Sequence, residues 1–396
     1  MKKAILILSS AFFCLSAAAQ SYYQDAENSE MLHHAERHEP CRREIILPQV
    51  NGYNVYKADL HTHTVFSDGQ VLPKFRIAEM WMDGIDIMAV TEHVEYRPNE
   101  EVFVDYLQKY ADKKYKKAVN SRVGTDGPDK NGIMVDLNYC VRISQKEAAS
   151  YGMLIIPGTE ITRNGTNVGH FNALFTTDNN LIYDKDPVQA IRNAKAQGAL
   201  VMHNHPGWRK TSLNFTEAEK TAYAEGLIDG VEVMNGAEFY PGIVDRCKEY
   251  GIFIAANTDI HRSTALDYTV RGNMRPMTLV FAKEKTLEAV REALEAQRTL
   301  AMGFNTVCGD EQLLKDFFTA GMKVSVVRQT KKGTELQVTN MTSVPYTVRQ
   351  AGRNQVRLDP FCTIQMSVEK DAKTLDLEVL NMFSGTEAHP VVKLSF

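Results

Sequence analysis

After its first twenty residues this sequence has no apolar run long enough to cross a bilayer as a helix. It has no Cys-x-x-Cys pair, and its cysteines are widely spread, which argues against zinc held by thiolates. It has no basic excess: Lys and Arg number 45 against 49 Asp and Glu, for a net charge of −4. The electrostatic footprint of a protein that grips a nucleic-acid polymer is therefore missing. No glycine-rich phosphate loop, nicotinamide-binding pattern or serine or cysteine nucleophile motif stands out. These absences leave a mildly acidic protein whose chemistry must come from other side chains.

The amino terminus reads as an export leader. Lys2 and Lys3 precede an apolar stretch from Ala4 to Leu15, then Ser16-Ala17-Ala18-Ala19. Basic, apolar, then small is the plan of a secretory signal peptide, with cleavage expected after Ala19 and a periplasmic or extracellular destination. Residues 20–52 are polar, and His33, His34 and His38 in them are expected to be solvated. The length suits one large domain, residues 53–309, and a smaller one, residues 310–396.

Between Tyr53 and Gly303, apolar β runs alternate with amphipathic helical patterns. Strands are expected at Tyr53–His61, Asp86–Thr91, Met153–Gly158, Ala199–His203, Gly230–Met234, Ile252–Asn257 and Met277–Ala282. Helices are expected at Pro73–Asp83, Pro187–Gln197, Thr216–Glu225, Pro241–Tyr250 and Thr286–Gln297. Repeated βα units predict a parallel sheet with helices outside it, and about seven units predict a closed or nearly closed β/α barrel. Residues 95–151 form an insertion with a charged helix at 100–119. After Gly309 short strands and turns take over, which predicts a small all-β, sandwich-like domain.

The polar residues that carry chemistry sit at the ends of the β runs, where a barrel of this kind places its active site. The first run ends in Asp59-Leu60-His61-Thr62-His63, and residues two apart on a strand share a face. Two imidazoles side by side can chelate a metal, and Asp68 follows in a Ser-Asp-Gly turn. Later runs end in Thr91-Glu92-His93, Gly158-Thr159-Glu160, His203-Asn204-His205-Pro206 and Asn257-Thr258-Asp259-Ile260-His261. A turn at Asn164-Gly165 would fold His170 back toward Glu160. Nine potential ligands converge on one rim: His61, His63, Asp68, His93, Glu160, His170, His205, Asp259 and His261.

In order and type these clusters resemble the PHP (polymerase and histidinol phosphatase) superfamily, over roughly Tyr56 to Gly309. The closest likeness is to its secreted, phosphodiesterase-like branch, through Gly158-Thr159-Glu160-Ile161-Thr162, Gly169-His170-Phe171-Asn172 and Asn204-His205-Pro206-Gly207-Trp208. The resemblance implies a distorted seven-stranded β/α barrel holding two or three divalent metals. It would assign His61, His63, Glu160 and Asp259 to the first metal. Glu160 would bridge to a second held by His170 and His205, and Asp68, His93 and His261 would hold a third. Some members of the family have histidine where Asp68 stands. Because the family's ligand immediately precedes proline, His205 is preferred over His203, which is then a partner of a ligand, a substrate contact or merely buried.

Such a site implies hydrolysis of a small phosphodiester by a metal-bridging hydroxide, with Glu160, His205 and Asp259 at its catalytic centre. The mixed imidazole and carboxylate set suits Zn, Mn or Fe better than Ca or Mg. Arg97, Arg262, Arg271, Arg275 and Trp208 are the further candidates for contact with a small-molecule phosphoester, while Glu232 and Asn235 would orient ligands. A phosphomonoesterase of histidinol-phosphatase type, a non-catalytic metal-binding scaffold and an amidohydrolase, which also begins with His-x-His, are the competing readings.

Overall fold

The structure is a computed structural model that describes residues 23–25, 32–34, 41–99, 136–162, 169–269 and 274–396. The leader, the charged helix at 100–119, the Asn164-Gly165 turn and Arg271 lie outside the described residues. The chain falls into two compact units, Met1–Arg42 and Arg43–Phe396. In the first, β1 (Tyr23–Asp25) pairs antiparallel with β2 (Leu32–His34). Everything below concerns the second.

Its strands, in chain order, begin with β3 (Asn54–Asp59), β4 (Ile87–Ala89), β5 (Leu154–Ile156), β6 (Gly158–Ile161) and β7 (His170–Leu174). There follow β8 (Leu200–Asn204), β9 (Gly230–Asn235), β10 (Glu238–Phe239), β11 (Phe253–Asn257), β12 (Met277–Ala282), β13 (Thr299–Gly303) and β14 (Thr306–Gly309). Helices separate many of them, among them Pro73–Met82, Pro187–Ala196, Glu217–Ala224, Gly242–Tyr250 and Leu287–Glu295. Their starts are written locally. Proline opens two of them, where its missing N–H costs nothing. Thr216 and Glu219 form a reciprocal capping box at a third.

The expected single parallel ring is instead two hydrogen-bonded, mixed sheets. One runs β10-β9-β8-β7-β6 with β11 beside β9; the other contains β14-β13-β12-β3-β4-β5. The Met153–Gly158 run breaks at Pro157, which has no N–H for a ladder. The chain before Pro157 belongs to one sheet and the chain after it to the other. β6 and β7 are antiparallel because the short link between them leaves no room for the crossover that parallel strands need. β12 lies antiparallel to both β3 and β13. The helix Tyr139–Ala148, inside the region read as an insertion, packs Tyr139 against Phe66 at 5.5 Å between ring centroids. Its neighbour Asp136 is paired with Arg142 at 2.6 Å.

Helix Glu311–Ala320 carries the chain into an all-β region. Phe317 faces Phe281 on one side (6.1 Å), and Phe318 faces Tyr346 on the other (4.8 Å). Beyond it lie β15 (Met322–Gln329), β16 (Thr334–Asn340), β17 (Tyr346–Arg349), β18 (Val356–Leu358), β19 (Thr363–Val368), β20 (Thr374–Val379), β21 (Met382–Phe383) and β22 (Val391–Ser395). They form a three-stranded and a four-stranded sheet, except β21, which joins the β14 edge in parallel.

Candidate metal centre

β3 stops at Asp59, and His61 and His63 lie in the extended segment just past it. Thr62 between them pairs with Ile260, and its amide donates to Thr91 Oγ1 at 2.8 Å. Both imidazoles are fully buried, with centroids 5.1 Å apart. The turn that follows brings Asp68 back over them. It closes because residue 69 is glycine: a Cβ there would stand 2.7 Å from the Thr64 nitrogen.

Two residues reach the cluster through left-handed backbone, His205 at φ 25° and Asp259 at φ 53°. Such conformations cost energy in residues with a Cβ and persist where surrounding bonds enforce them. Asp259 N–H donates to the His61 carbonyl (3.0 Å), and His205 N–H donates to Glu232 Oε2 (2.7 Å). The turn at His205 also decides between the two histidines of this motif. His203, still in β8, points the opposite way, buried against Tyr223 and Glu219 (each 3.1 Å) and stacked on Phe171. It stands apart from the cluster and from the cleft, so its place does not fit a substrate contact.

Glu160, at the end of β6, is 1 % exposed and occupies the middle. Its Oε2 lies 3.5 Å from His61 Nε2, 3.4 Å from His63 Nε2 and 2.7 Å from His93 Nδ1. Its Oε1 lies 3.3 Å from His170 Nδ1 and 3.9 Å from His205 Nε2. Asp259 Oδ1 is 3.1 Å from both His61 and His63, and its Oδ2 is 3.8 Å from His205. Asp68 Oδ1 sits 3.1 Å from His261 and 3.4 Å from His93. All nine residues meet here. Eight of them form three overlapping groups of potential donors, His63-Asp68-His93-His261, His61-His63-Asp259 and His61-Glu160-His205, while His170 belongs to none of the three and meets the cluster through Glu160 Oε1. His63 thus also stands with the Asp68 group, an overlap the resemblance did not imply.

The arrangement fits divalent cations on its own chemistry. His61 Nε2, His63 Nε2, Asp68 Oδ1 and Glu160 Oε2 are buried and make no hydrogen bond. Buried polar atoms are ordinarily satisfied, and four such atoms turned into one cluster of imidazoles and carboxylates are what metal ligands need. With no ion between them, the buried imidazoles and carboxylates balance one another's charge. Burial favours neutral Glu160, yet His93 and His61 hold it well below the usual carboxylate range. Burial also opposes charge on His93, but Glu160 and Asp68 carry it up to about 10. Burial, then His170, pushes His205 down to about 3, keeping its ring neutral.

Around the ligands lies a set of fixed partners. Glu232 accepts from His61 Nδ1 (2.9 Å) and from Asn235 and Asn257 amides (2.8 and 2.9 Å). Asn204 donates to Glu160 Oε1 (3.0 Å) and to Asn172 (2.9 Å). Its position between two histidines at a strand end was the available signal, since successive residues face opposite sides. Arg76, fully buried in helix Pro73–Met82, donates to the carbonyls of His63 (3.0 Å), Ile260 (3.1 Å) and Arg262 (2.8 Å) and pairs with Glu79. It reads in sequence as an ordinary helix arginine. Glu92 faces away from the cluster, bonded to Thr64 and Ser67.

The cluster opens into a cleft of about 410 Å³ bordered by Tyr96, Thr162, Trp208 and Arg209. Trp208 is 39 % exposed, its ring 5.2 Å from His170 and 5.3 Å from His205, with the Arg209 guanidinium 4.3 Å from its ring centroid. Among the expected arginines, Arg275 is instead buried with Asp59 and Asp83. Arg97 is buried and donates to the His93 carbonyl at 3.1 Å. Arg262 lines a second cavity beside Asp259 and His261.

One solved structure matches nearly the whole chain: a two-domain protein containing a predicted PHP-like metal-dependent phosphoesterase from Bacteroides vulgatus. The two are 31% identical, with 90% of this chain and 99% of that one covered and a TM-score of 0.77. This chain belongs to the PHP-like metal-dependent phosphoesterases. A protein from Bifidobacterium adolescentis proposed to be a metal-dependent phosphoesterase aligns at 14% identity, over 61% of this chain and 96% of its own, with a TM-score of 0.37. Endonuclease Q bound to a 27-mer duplex with an abasic lesion aligns at 16%, over 65% and 60%, with a TM-score of 0.40. No family model matches the sequence, and no curated protein does.

Proposed function

We propose that the chain hydrolyses small organic phosphodiesters, using two or three divalent cations of the Zn, Mn or Fe kind held by the nine clustered residues. The observation that carries this reading is Glu160: one buried carboxylate whose two oxygens face different sets of histidines, as a group shared between two ions must. Cations bound there supply Lewis acidity, bringing the ionisation of water from ~16 to roughly 7 and offsetting charge on phosphoryl oxygens. The protein's own work is positional. Glu232, as acceptor, requires the proton of His61 on Nδ1 and leaves the Nε2 lone pair facing the cluster. Asn204 restrains one oxygen of Glu160, and the left-handed turns at His205 and Asp259 direct their side chains into the cluster.

The cleft volume is of the size that takes a small molecule. Trp208 and Arg209 at its mouth offer an aromatic face and a cation to an ester's organic part. We read the two mixed sheets as the halves of one distorted barrel, with residues 322–396 as an all-β part that lends β21 to the β14 edge. We also infer export through the leader; sequencing the amino terminus of protein recovered from outside the cytoplasm should begin at Gln20.

The test is elemental analysis of purified protein together with bis(4-nitrophenyl) phosphate and 4-nitrophenyl phosphate as substrates. The expected result is more than one equivalent of transition metal and faster turnover of the diester. Preference for the monoester would indicate the histidinol-phosphatase type of activity. Metal-replete protein inert on both would favour a scaffold.

A further inference from the structure

The second cavity, about 330 Å³, shares Asp259 and His261 with the cleft above the metal cluster, so the two spaces meet at the same ligands. Four separate pieces of chain build it. The turn after β9 gives Gly236 and Ala237, and the segment after β11 gives Thr258 to Arg262. The helical turn Ala265–Thr269 gives Asp267 and Tyr268, and the β13–β14 turn gives Phe304. Phe304 and Asn305 both adopt left-handed backbone, φ 47° and 64°, as a two-residue hairpin turn requires. The Phe304 amide is tied to the Met274 carbonyl at 2.9 Å. Its ring stands 6.2 Å from Tyr268, and the two make one apolar wall.

Arg262 supplies the polar side. It is half exposed, and Asp267 is its only charged partner among the described residues. A guanidinium has five N–H donors in a fixed fork. Asp267 occupies part of that fork, and the rest remains for an acceptor in the cavity. The cleft over the metal cluster also has an aromatic ring and a guanidinium in its wall, Trp208 and Arg209.

We propose that this second cavity is the seat of the other organic arm of a phosphodiester. A phosphorus centred over the cluster would carry one arm toward Trp208 and one toward Phe304 and Tyr268. The arm it takes is ring-bearing, of aryl or nucleobase dimensions, with an acceptor placed for Arg262. A monoester has no second arm to place there, so the cavity is also what would separate the two substrate classes. This inference rests on the phosphoester reading above and specifies its substrate.

The probes are two phosphinates that cannot be hydrolysed, because every organic group is attached through P–C bonds: diphenylphosphinate and methyl(phenyl)phosphinate. Both are monoanions, and only the first has two rings. Titration calorimetry on the metal-replete full chain should show the second ring tightening binding by about tenfold, the gain expected from burying part of a phenyl face. Phe304→Ala should remove most of that gain. Ala237→Trp, which fills the cavity from an exposed position, should remove it while leaving the one-ring affinity within about twofold. An equal affinity for both probes, or a gain that survives both substitutions, overturns the second-arm assignment. Failure of either phosphinate to bind at all overturns the phosphoester reading, and the second seat with it.

Discussion

Glu232 is bonded to His61 through one oxygen (Nδ1, 2.9 Å) and to the His205 amide through the other (2.7 Å). One buried carboxylate on β9 therefore sets the ring of one candidate ligand and the backbone of another, from two different strands. Loss of such an outer partner typically costs 10–100-fold in metal affinity. Glu232→Gln should lower affinity for the tightest ion by about tenfold and Glu232→Ala by more, measured by competition with a chromogenic chelator. Unchanged affinity in both would refute the role.

Glu160→Ala removes the shared carboxylate. The variant should retain at most one ion in place of two or more and lose activity on phosphoesters by at least ~10³-fold, as expected when a site can no longer hold its ions. The all-β region should keep its fold, monitored by near-ultraviolet circular dichroism. Near wild-type turnover with full metal content would contradict the assignment.

Arg76, fully buried, ties the His63 segment to the Ile260–Arg262 segment. Arg76→Met leaves Glu79 buried without its partner. Breaking a buried pair on one side costs about 3–5 kcal/mol, so the midpoint of urea unfolding should fall sharply. A midpoint within error of the wild type would show that the clamp contributes nothing.

Glu219 caps helix Glu217–Ala224 and touches His203 and Lys210. Burial favours its neutral form, but His203 and Lys210 outweigh that and bring its pKa from 4.5 down to about 2. A carboxylate depressed in the folded state contributes stability that is complete above its unfolded value and is lost as pH falls through the folded one. Stability should therefore decline between about pH 4.5 and 2, and Glu219→Gln should flatten that part of the profile. An unaltered profile in chemical denaturation would count against it.

Removing metal should destabilise the fold as well as silence it. Ions that bind only the folded state add stability by mass action, about 2.7 kcal/mol at a hundredfold excess over Kd. Dialysis against a chelator should lower Tm by several degrees, and Zn or Mn should restore it. No change in Tm would argue that the cluster holds no ion.

Much of the centre was legible because its residues stand at the ends of apolar runs, and a strand end is a place that sequence marks well. The seven expected strands and five helices between Tyr53 and Ala282, or just beyond to Gln297, each have a counterpart within a few residues. The antiparallel pairings of β7 and β12 were not legible, because strand direction depends on which edge each strand finds, not on its own residues. The direction of His203 stayed open for a related reason. Period-two alternation holds only while the backbone stays extended, and the left-handed turn at His205 breaks it. Arg76 was invisible, since a buried guanidinium and a solvated one are written with the same letter. The helix at Tyr139–Ala148 was lost inside a segment read as an insertion because its polar face outweighs its apolar one.

The pairing of β21 with β14 has a consequence for how the molecule is made. Met382 and Phe383 complete an edge that Val307 and Cys308 leave open, and Phe383 covers Phe239. Nearby, Lys248 bonds the Ser384 carbonyl and Asp245 holds Thr386. A nascent chain released before Met382 would carry a bare edge, and bare edges recruit strands from other molecules. Truncated products should therefore clump instead of persisting as soluble, half-finished enzyme.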